Sequence, residues 1–152
     1  RICCFANNNK NLLLWAHYAA SHKGFCVEFD AATVPIMMTQ KVHYTNERPQ
    51  WKVPVPPGKL AFSAFLMKST DWRYEEEYRS FLLPNKTTLS HDENSLILDP
   101  KTITNVYLGT KIEQEDKIVL LDIISRSDFD PKIWQASLSK HTFGLVFKEL
   151  TL

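Results

Sequence analysis

The sequence predicts an α+β fold, in which a mixed or antiparallel sheet packs against a few helices. Segments with the period-2 pattern of strands do not alternate strictly with segments of helical period, as they would in a doubly wound parallel sheet. The chain has 152 residues, of which 44% are hydrophobic and 12% aromatic, enough for one sizeable core and too few for two. We therefore expect residues 1–152 to form a single domain.

The N-terminal part of the chain predicts a strand, a helix and a second strand. Residues 2–5 form a short apolar run that favours a β-strand. Residues 11–21 predict a helix that Asn11 can cap. The buried stripe of this helix, spaced i, i+3, i+4, i+7, contains Leu12, Trp15, Ala16 and Ala19. Residues 25–29 alternate as a strand does, and the face predicted to be buried contains Phe25, Val27 and Phe29.

The middle of the chain predicts two more strands around a proline-rich loop. Residues 41–45 predict a strand, and the prolines within residues 49–58 predict the main internal loop. Residues 59–68 are apolar nearly all round, a pattern shared by a helix and a buried strand, and we expect a helix. Residues 74–83 predict a strand that Pro84 ends.

The C-terminal part predicts a polar loop, four strands and a helix. The loop covers residues 85–94, and the predicted strands cover residues 95–98, 103–108, 133–138 and 143–147. Residues 113–124 predict a helix with acidic residues in its first turn. Its buried side is expected to contain Ile118, Leu121 and Ile124.

Composition argues against several classes of partner. Eighteen Lys and Arg residues stand against seventeen Asp and Glu residues, a net charge of +1, so general nucleic-acid binding is not expected. No apolar run approaches the roughly 20 residues of a membrane-spanning helix, so we expect no membrane partner. The cysteines, Cys3, Cys4 and Cys26, are odd in number and lack CxxC spacing. They predict reduced, buried thiols in a cytoplasmic protein and no metal site.

The segment 72–79 combines aromatic and charged side chains. On a strand, Glu75, Glu77 and Arg79 would share one face, with Trp72, Tyr74 and Tyr78 on the other. Because it belongs to the aromatic face, Trp72 is expected to be a core residue. One interpretation is a solvated edge strand whose charges prevent aggregation. The other is a cleft in which a carboxylate orients a sugar hydroxyl or stabilises a cationic transition state, while Arg79 binds phosphate. Repulsion between the two carboxylates would then raise the pKa of one of them.

Other reactive side chains are predicted to be structural. Tyr18 and His22 share a helix face with i, i+4 spacing, beside His17, but no HExxH-like carboxylate accompanies them, so packing is favoured over zinc binding. Cys4 and Cys26 lie in apolar, strand-like runs, so buried thiols are favoured over nucleophiles. The chain contains no GxSxG, P-loop or GxGxxG motif.

Several ordered motifs resemble a bacterial family known as domain of unknown function number 2971. They are residues 2–5, 14–19, 22–25 and 106–109, and the run from Lys68 through Trp72 to Glu75, Glu77 and Arg79. Members of that family usually carry a further N-terminal portion, with a KYR-like strand and an NDPFD-like turn. The resemblance therefore implies that this chain lacks an N-terminal portion found in the family.

The order of the fuller family pattern is similar to that of ADP-ribosyltransferases. By that resemblance, Glu77 would contact the nicotinamide ribose of NAD and Glu75 would orient the acceptor. Arg79, His17 and Tyr18 would line the substrate site. The implied function is an ADP-ribosyltransferase-like domain that uses NAD to modify a macromolecule. The alternative is a non-catalytic recognition module of a bacterial phage-defence or stress-response system.

Overall fold

The computed structural model describes residues 2–34, 36–48, 50, 62–81 and 98–151. Mixed and antiparallel sheets with three α-helices in these ranges confirm the α+β prediction. The strands and α-helices are β1 (Ile2–Ala6), α1 (Leu12–Tyr18), β2 (Phe25–Phe29), β3 (Gln40–Lys41), β4 (His43–Tyr44), α2 (Phe62–Phe65), β5 (Met67–Lys68), β6 (Glu77–Phe81), β7 (Ile103–Leu108), α3 (Gln114–Ser125), β8 (Lys132–Leu138) and β9 (Leu145–Leu150). Short 3-10 helices cover Ile36–Met38, Thr70–Glu75 and Pro100–Thr102.

The chain divides into two compact units. The first unit contains Arg1–Asn8 and Met38–Leu83, and the second contains residues 9–37 and 84–152. The expectation of a single domain stays a prediction.

The first unit contains two small sheets. Its three-stranded antiparallel sheet has the order β1-β6-β3, with Cys4 and Gln40 both opposite Arg79 on the central strand. Strands β4 and β5 form a separate parallel pair. The chain passes from β3 to β4 through the buried Val42, whose N–H donates to the Glu77 carbonyl at 2.9 Å.

The second unit contains one mixed sheet with the order β2-β7-β8-β9. Strands β7 and β8 are parallel and are connected through α3, whereas the other neighbours are antiparallel. Side chains of β7 alternate between two cores. Tyr107 packs with Trp15 of α1, and on the other face Val106 and Leu108 pack against α3.

The predicted cap and buried stripe of α1 are confirmed, but the helix ends at Tyr18, three residues before the predicted end at residue 21. The Asn11 side chain accepts a hydrogen bond from the Leu13 N–H at 2.9 Å, and Trp15 is buried. The helix ends because Ala20, Ser21 and His22 all adopt positive φ, between 46° and 71°. This left-handed turn places the His22 carbonyl against Gly109, with the Lys111 N–H donating to it at 3.0 Å.

The buried faces of two elements differ from the prediction. On β2, Val27 and Phe29 of the predicted face are half-buried, but Phe25 is 48% exposed, and Cys26 of the opposite face packs against the Trp15 core. Because helices cover both faces of this sheet, alternation alone does not show which side of an edge strand is buried. On α3, Leu121 and Ile124 face the core as predicted, but Ile118 is exposed because the helix is apolar on both sides.

Several predicted boundaries are also different. The strand predicted over residues 41–45 is split between β3 and β4, which belong to different sheets. Of the predicted helix at residues 59–68, the described part begins at residue 62; there helix covers Phe62–Phe65, and β5 follows. The last strand begins at Leu145 because a turn closes between Ser139 and Gly144. The loops predicted at 49–58 and 85–94 and the strand at 95–98 lie almost entirely outside the described residues.

None of the helices in the described ranges has both the length and the apolar character needed to cross a membrane.

Candidate functional site

Lys68, Glu75 and Glu77 form the centre of a charged cluster in the first unit. The Lys68 ammonium group donates hydrogen bonds to both carboxylates, to Glu77 Oε2 at 2.8 Å and to Glu75 Oε2. Both glutamates are only 4% exposed. The lysine therefore bridges two buried carboxylates and compensates part of their charge.

Arg79 completes the cluster from the same strand as Glu77. Its Nε donates to Glu77 Oε1 at 2.6 Å and its second guanidinium nitrogen to Glu77 Oε2 at 3.1 Å. The remaining guanidinium nitrogen donates to the Phe65 carbonyl. Two cations, Lys68 and Arg79, thus balance two anions, Glu75 and Glu77, so the cluster has no net charge.

Glu75 and Glu77 both contact Lys68, but they do not lie on one strand as predicted. The strand predicted over residues 74–83 begins only at Glu77, because residues Thr70–Glu75 form a 3-10 helix that the Ser69 side chain caps. Glu76 ends this helix in the left-handed conformation, with φ of 45° and ψ of 47°. The reversal turns both neighbouring carboxylates towards the lysine. Residues 82–83 lie outside the described part of the chain.

Hydrogen bonds from other elements fix the start of β6. The Glu77 N–H donates to the Tyr44 hydroxyl at 2.9 Å. The Glu76 side chain points away from the cluster and accepts a hydrogen bond from Asn8 Nδ2 at 3.0 Å. The cluster is therefore attached to β1, β4, β5 and β6 of the first unit.

The electrostatics of the cluster keep Glu77 ionised. Burial raises the pKa of its carboxyl, but hydrogen bonds from Arg79, Cys4 and Lys68 outweigh burial and lower this pKa to about 2. Burial also disfavours the charged form of Lys68 and lowers the pKa of its ammonium group. The hydrogen bonds to Glu75 and Glu77 outweigh burial, so this pKa is raised. The raised carboxyl pKa expected from repulsion is wrong for Glu77, because Lys68 and Arg79 separate the two charges.

Cys4 lies beside the cluster, on the strand that pairs with β6. Contrary to the sequence prediction, Cys3 and Cys4 are exposed, and Cys26 is half-buried. The pKa of the Cys4 thiol is raised to about 11, chiefly because the sulfur is partly desolvated although the residue as a whole is exposed, and then by the Glu77 carboxylate. A thiol with this pKa is protonated at neutral pH and is a poor nucleophile.

Trp72 is not the core residue that strand alternation predicts. It lies in the 3-10 helix and is 39% exposed. The Lys68 ammonium group lies 5.2 Å from the centre of its ring, and the Tyr74 ring lies at 6.0 Å. This distance from the ammonium group is within the range of cation–π attraction.

His17 and Tyr18 belong to the second unit, on the last turn of α1. Their rings lie 6.4 Å apart in an edge-on arrangement, and Tyr18 is 67% exposed. Of the five predicted site residues, the structure thus brings together Glu75, Glu77 and Arg79 within one unit. Strand periodicity did not predict Lys68 of the cluster or its neighbour Cys4. The sequence signal for Lys68 was its place at the start of the motif ending at Arg79.

A cleft of about 490 Å³ lies next to the cluster in the first unit. It is lined by residues 45–48, 64, 67–69 and 71. Of the four charged residues of the cluster, Lys68 alone lines this cleft. The lining also includes Glu47, Arg48 and Asp71, which form no ion pair within the described residues.

No group of three or more His, Cys, Asp and Glu side chains within the described ranges could hold a metal ion. The candidate site therefore consists of the charged cluster and the adjoining cleft.

Comparisons of the chain with models of protein families, with curated proteins and with solved structures found no match.

Proposed function

We propose that the chain is a non-catalytic recognition module that binds a segment of another protein through the cleft of the first unit. The observation that carries this proposal is the pairing of Glu77 with two cations, Lys68 at 2.8 Å and Arg79 at 2.6 Å. A carboxylate that stabilises a ribosyl cation has to face the substrate. Glu77 is 4% exposed and is bonded to cations on both sides, which supports a structural role.

The chemistry of the cleft supports a protein partner. Its volume of about 490 Å³ lies within the range of roughly 300 to 1,000 Å³ that is typical of ligand sites. The charges that line it have both signs, since Arg48 follows Glu47 in the chain and Asp71 also lines the cleft. A nucleic acid would need a groove of one positive sign. A peptide segment with an acidic and a basic side chain matches the mixed charges better.

Trp72 adds an aromatic surface next to this cleft. It follows Asp71 in the chain, and 39% of its surface is exposed. Exposed Trp residues commonly provide much of the binding energy of protein interfaces. The charged cluster holds the Lys68 ammonium group 5.2 Å from the centre of the Trp72 ring. The cluster would therefore fix the position of Trp72 at the edge of the peptide-binding surface.

A peptide-binding experiment tests the proposal. Short synthetic peptides, each with one acidic and one basic residue at varied spacing, would be immobilised and probed with the purified chain. We expect a subset to bind, and we expect Arg48→Glu and Trp72→Ala each to weaken that binding at least about tenfold. Lys140→Glu is the matched control, because it reverses an exposed charge in a turn of the other unit. Equal binding by wild type and Arg48→Glu would contradict the proposal.

The second candidate is the ADP-ribosyltransferase-like function, which the proximity of Glu75, Glu77 and Arg79 favours. Isothermal titration with NAD separates the two candidates. The recognition proposal expects no binding of NAD at millimolar concentration. Binding or cleavage of NAD that is lost in Glu77→Gln, with the fold retained, would favour the transferase and reject the recognition module.

A further inference from the structure

Helix α3 has apolar side chains on two opposite sides. On the inner side, Leu120, Leu121 and Ile124 pack against the core of the second unit. On the outer side, Ile118, Val119 and Ile123 are 57%, 58% and 59% exposed. A helix at a protein surface usually has a single apolar stripe, and one that is apolar all round is usually covered.

Charged residues lie along the same outer side. At 100° per residue, Glu115, Val119, Asp122 and Arg126 follow one line along the helix, with Ile118 and Ile123 flanking it. Glu115 lies in the first turn and Arg126 directly follows the last helical residue. Arg126 pairs with Asp122 at 2.8 Å, and its side chain is still 77% exposed. Glu115 has no ion pair within the described residues.

We propose that the outer side of α3 is the contact surface of a homodimer, in which the helix packs antiparallel against α3 of a second copy of this chain. The two-fold axis would cross the outer side of the helix at the level of the Leu120–Leu121 peptide bond. It would place Glu115 of one copy opposite Arg126 of the other. The same axis places Ile118 opposite Ile123. Each contact occurs twice, as in any isologous interface.

The charge distribution favours a second copy as the partner. The outer side has an acidic residue at its N-terminal end and a basic residue at its C-terminal end, so it is complementary to itself only in the antiparallel direction. Antiparallel packing also places the positive end of each helix dipole next to the negative end of the other. Asp122 faces Val119 of the second copy and keeps its ion pair with Arg126, so that the interface carries no unpaired aspartate.

The dimer is expected to be weak. Two helices of three turns form an interface at the small end of the range for specific complexes. Association should therefore depend on protein concentration, with monomer at low micromolar concentrations and dimer at higher ones.

Sedimentation velocity of the purified chain over a concentration series tests this proposal. We expect reversible dimerisation in wild type. In the Arg126→Glu variant, the introduced carboxylate would lie opposite Glu115 of the second copy. Repulsion between these two negative charges should weaken dimerisation at least about tenfold. The double variant Glu115→Arg with Arg126→Glu reverses both charges and should restore it. Lys140→Glu, a charge reversal in a turn outside α3, should dimerise as wild type does.

Val119→Asp provides a second test through the apolar contact and should yield a monomer, with circular dichroism checking that the variant is folded. If it is not folded, the charge-reversal pair decides alone. A wild type that is monomeric at every concentration would overturn the proposal. A dimer that is unaffected by Arg126→Glu would also overturn it, as would a double variant that fails to recover dimerisation.

Discussion

Arg79 Nε donates a hydrogen bond to Glu77 Oε1 over 2.6 Å, although the two residues are only two positions apart on the same strand. Side chains at i and i+2 share a face of a strand, and these two lie on the face that also carries Cys4 of β1. Glu77 uses its other oxygen to bind Lys68, which also binds Glu75. The cluster thereby ties β5 and the end of the 3-10 helix to the central strand of the sheet.

Lys68→Ala should destabilise the protein by about 3 to 5 kcal/mol, because it leaves two buried carboxylates with one cation between them. Urea titration at pH 7 measures this change. Lys23→Ala is the matched control. Lys23 pairs with Glu113 at 2.7 Å, but both side chains are more than half exposed, so its loss should change stability little. Similar losses in the two variants would show that Lys68 has no special role.

The stability of the wild type should fall as pH decreases from about 4.5 to about 2. The pKa of Glu77 is about 2 in the folded protein, below its ordinary value of 4.5. A carboxyl with a lowered folded pKa stabilises the protein above the unfolded pKa, and this contribution is lost as pH falls through the folded pKa. For Glu77 it is on the order of 3 kcal/mol. Glu77→Gln should lack this part of the pH dependence, and an unchanged slope in the variant would refute the assignment.

Gly109→Ala should destabilise the second unit by about 3 kcal/mol. A Cβ atom there would lie 2.2 Å from the His22 carbonyl oxygen and 2.6 Å from the Gly24 carbonyl oxygen, both backbone atoms. Gly144→Ala is the control, since the nearest atom to its Cβ lies at 3.8 Å. Thermal unfolding of both variants provides the comparison. If Gly109→Ala unfolds at the wild-type temperature, the left-handed turn at His22 is wrongly described.

Trp15→Ala should cost roughly 3 to 5 kcal/mol, whereas Trp72→Ala should cost about 1 kcal/mol or less. Trp15 is 3% exposed, and its indole N–H donates to the Asn9 carbonyl at 2.7 Å. Trp72 is 39% exposed. Denaturant titration of the two variants measures the difference. Equal losses in the free energy of unfolding would show that Trp72 is a core residue, as strand alternation predicts.

Local patterns predicted most of the regular elements. The cap at Asn11 and the stripe containing Trp15 predicted α1, and apolar β-branched residues predicted β7. Alternation failed at Trp72, because the strand begins only at Glu77 and residue 72 lies in a 3-10 helix. The left-handed conformation of Glu76 causes this difference. No local pattern predicts it, since such a conformation is uncommon for residues other than glycine.

The candidate site was predicted in part, for a similar reason. The period-2 spacing correctly placed Glu77 and Arg79 on one strand face, whereas Glu75 lies in the 3-10 helix and meets Glu77 through Lys68. It did not predict the partner Lys68, which reaches the cluster from β5 through tertiary structure. When Lys68 is left out, two neighbouring carboxylates are expected to repel each other and to raise the pKa of one of them. With it, the same residues form a neutral ion-pair cluster.

Carbon-13 NMR of the Glu77 side-chain carboxyl, titrated from pH 7 towards acid, measures whether Lys68 and Arg79 keep this carboxylate ionised. Glu77→Gln would assign the signal by its disappearance. The ion-pair cluster predicts that the carboxyl stays ionised through pH 4.5 and titrates with a pKa of about 2. A pKa at or above 4.5 would contradict the cluster, because it would show that Lys68 and Arg79 do not hold the carboxylate in its charged form.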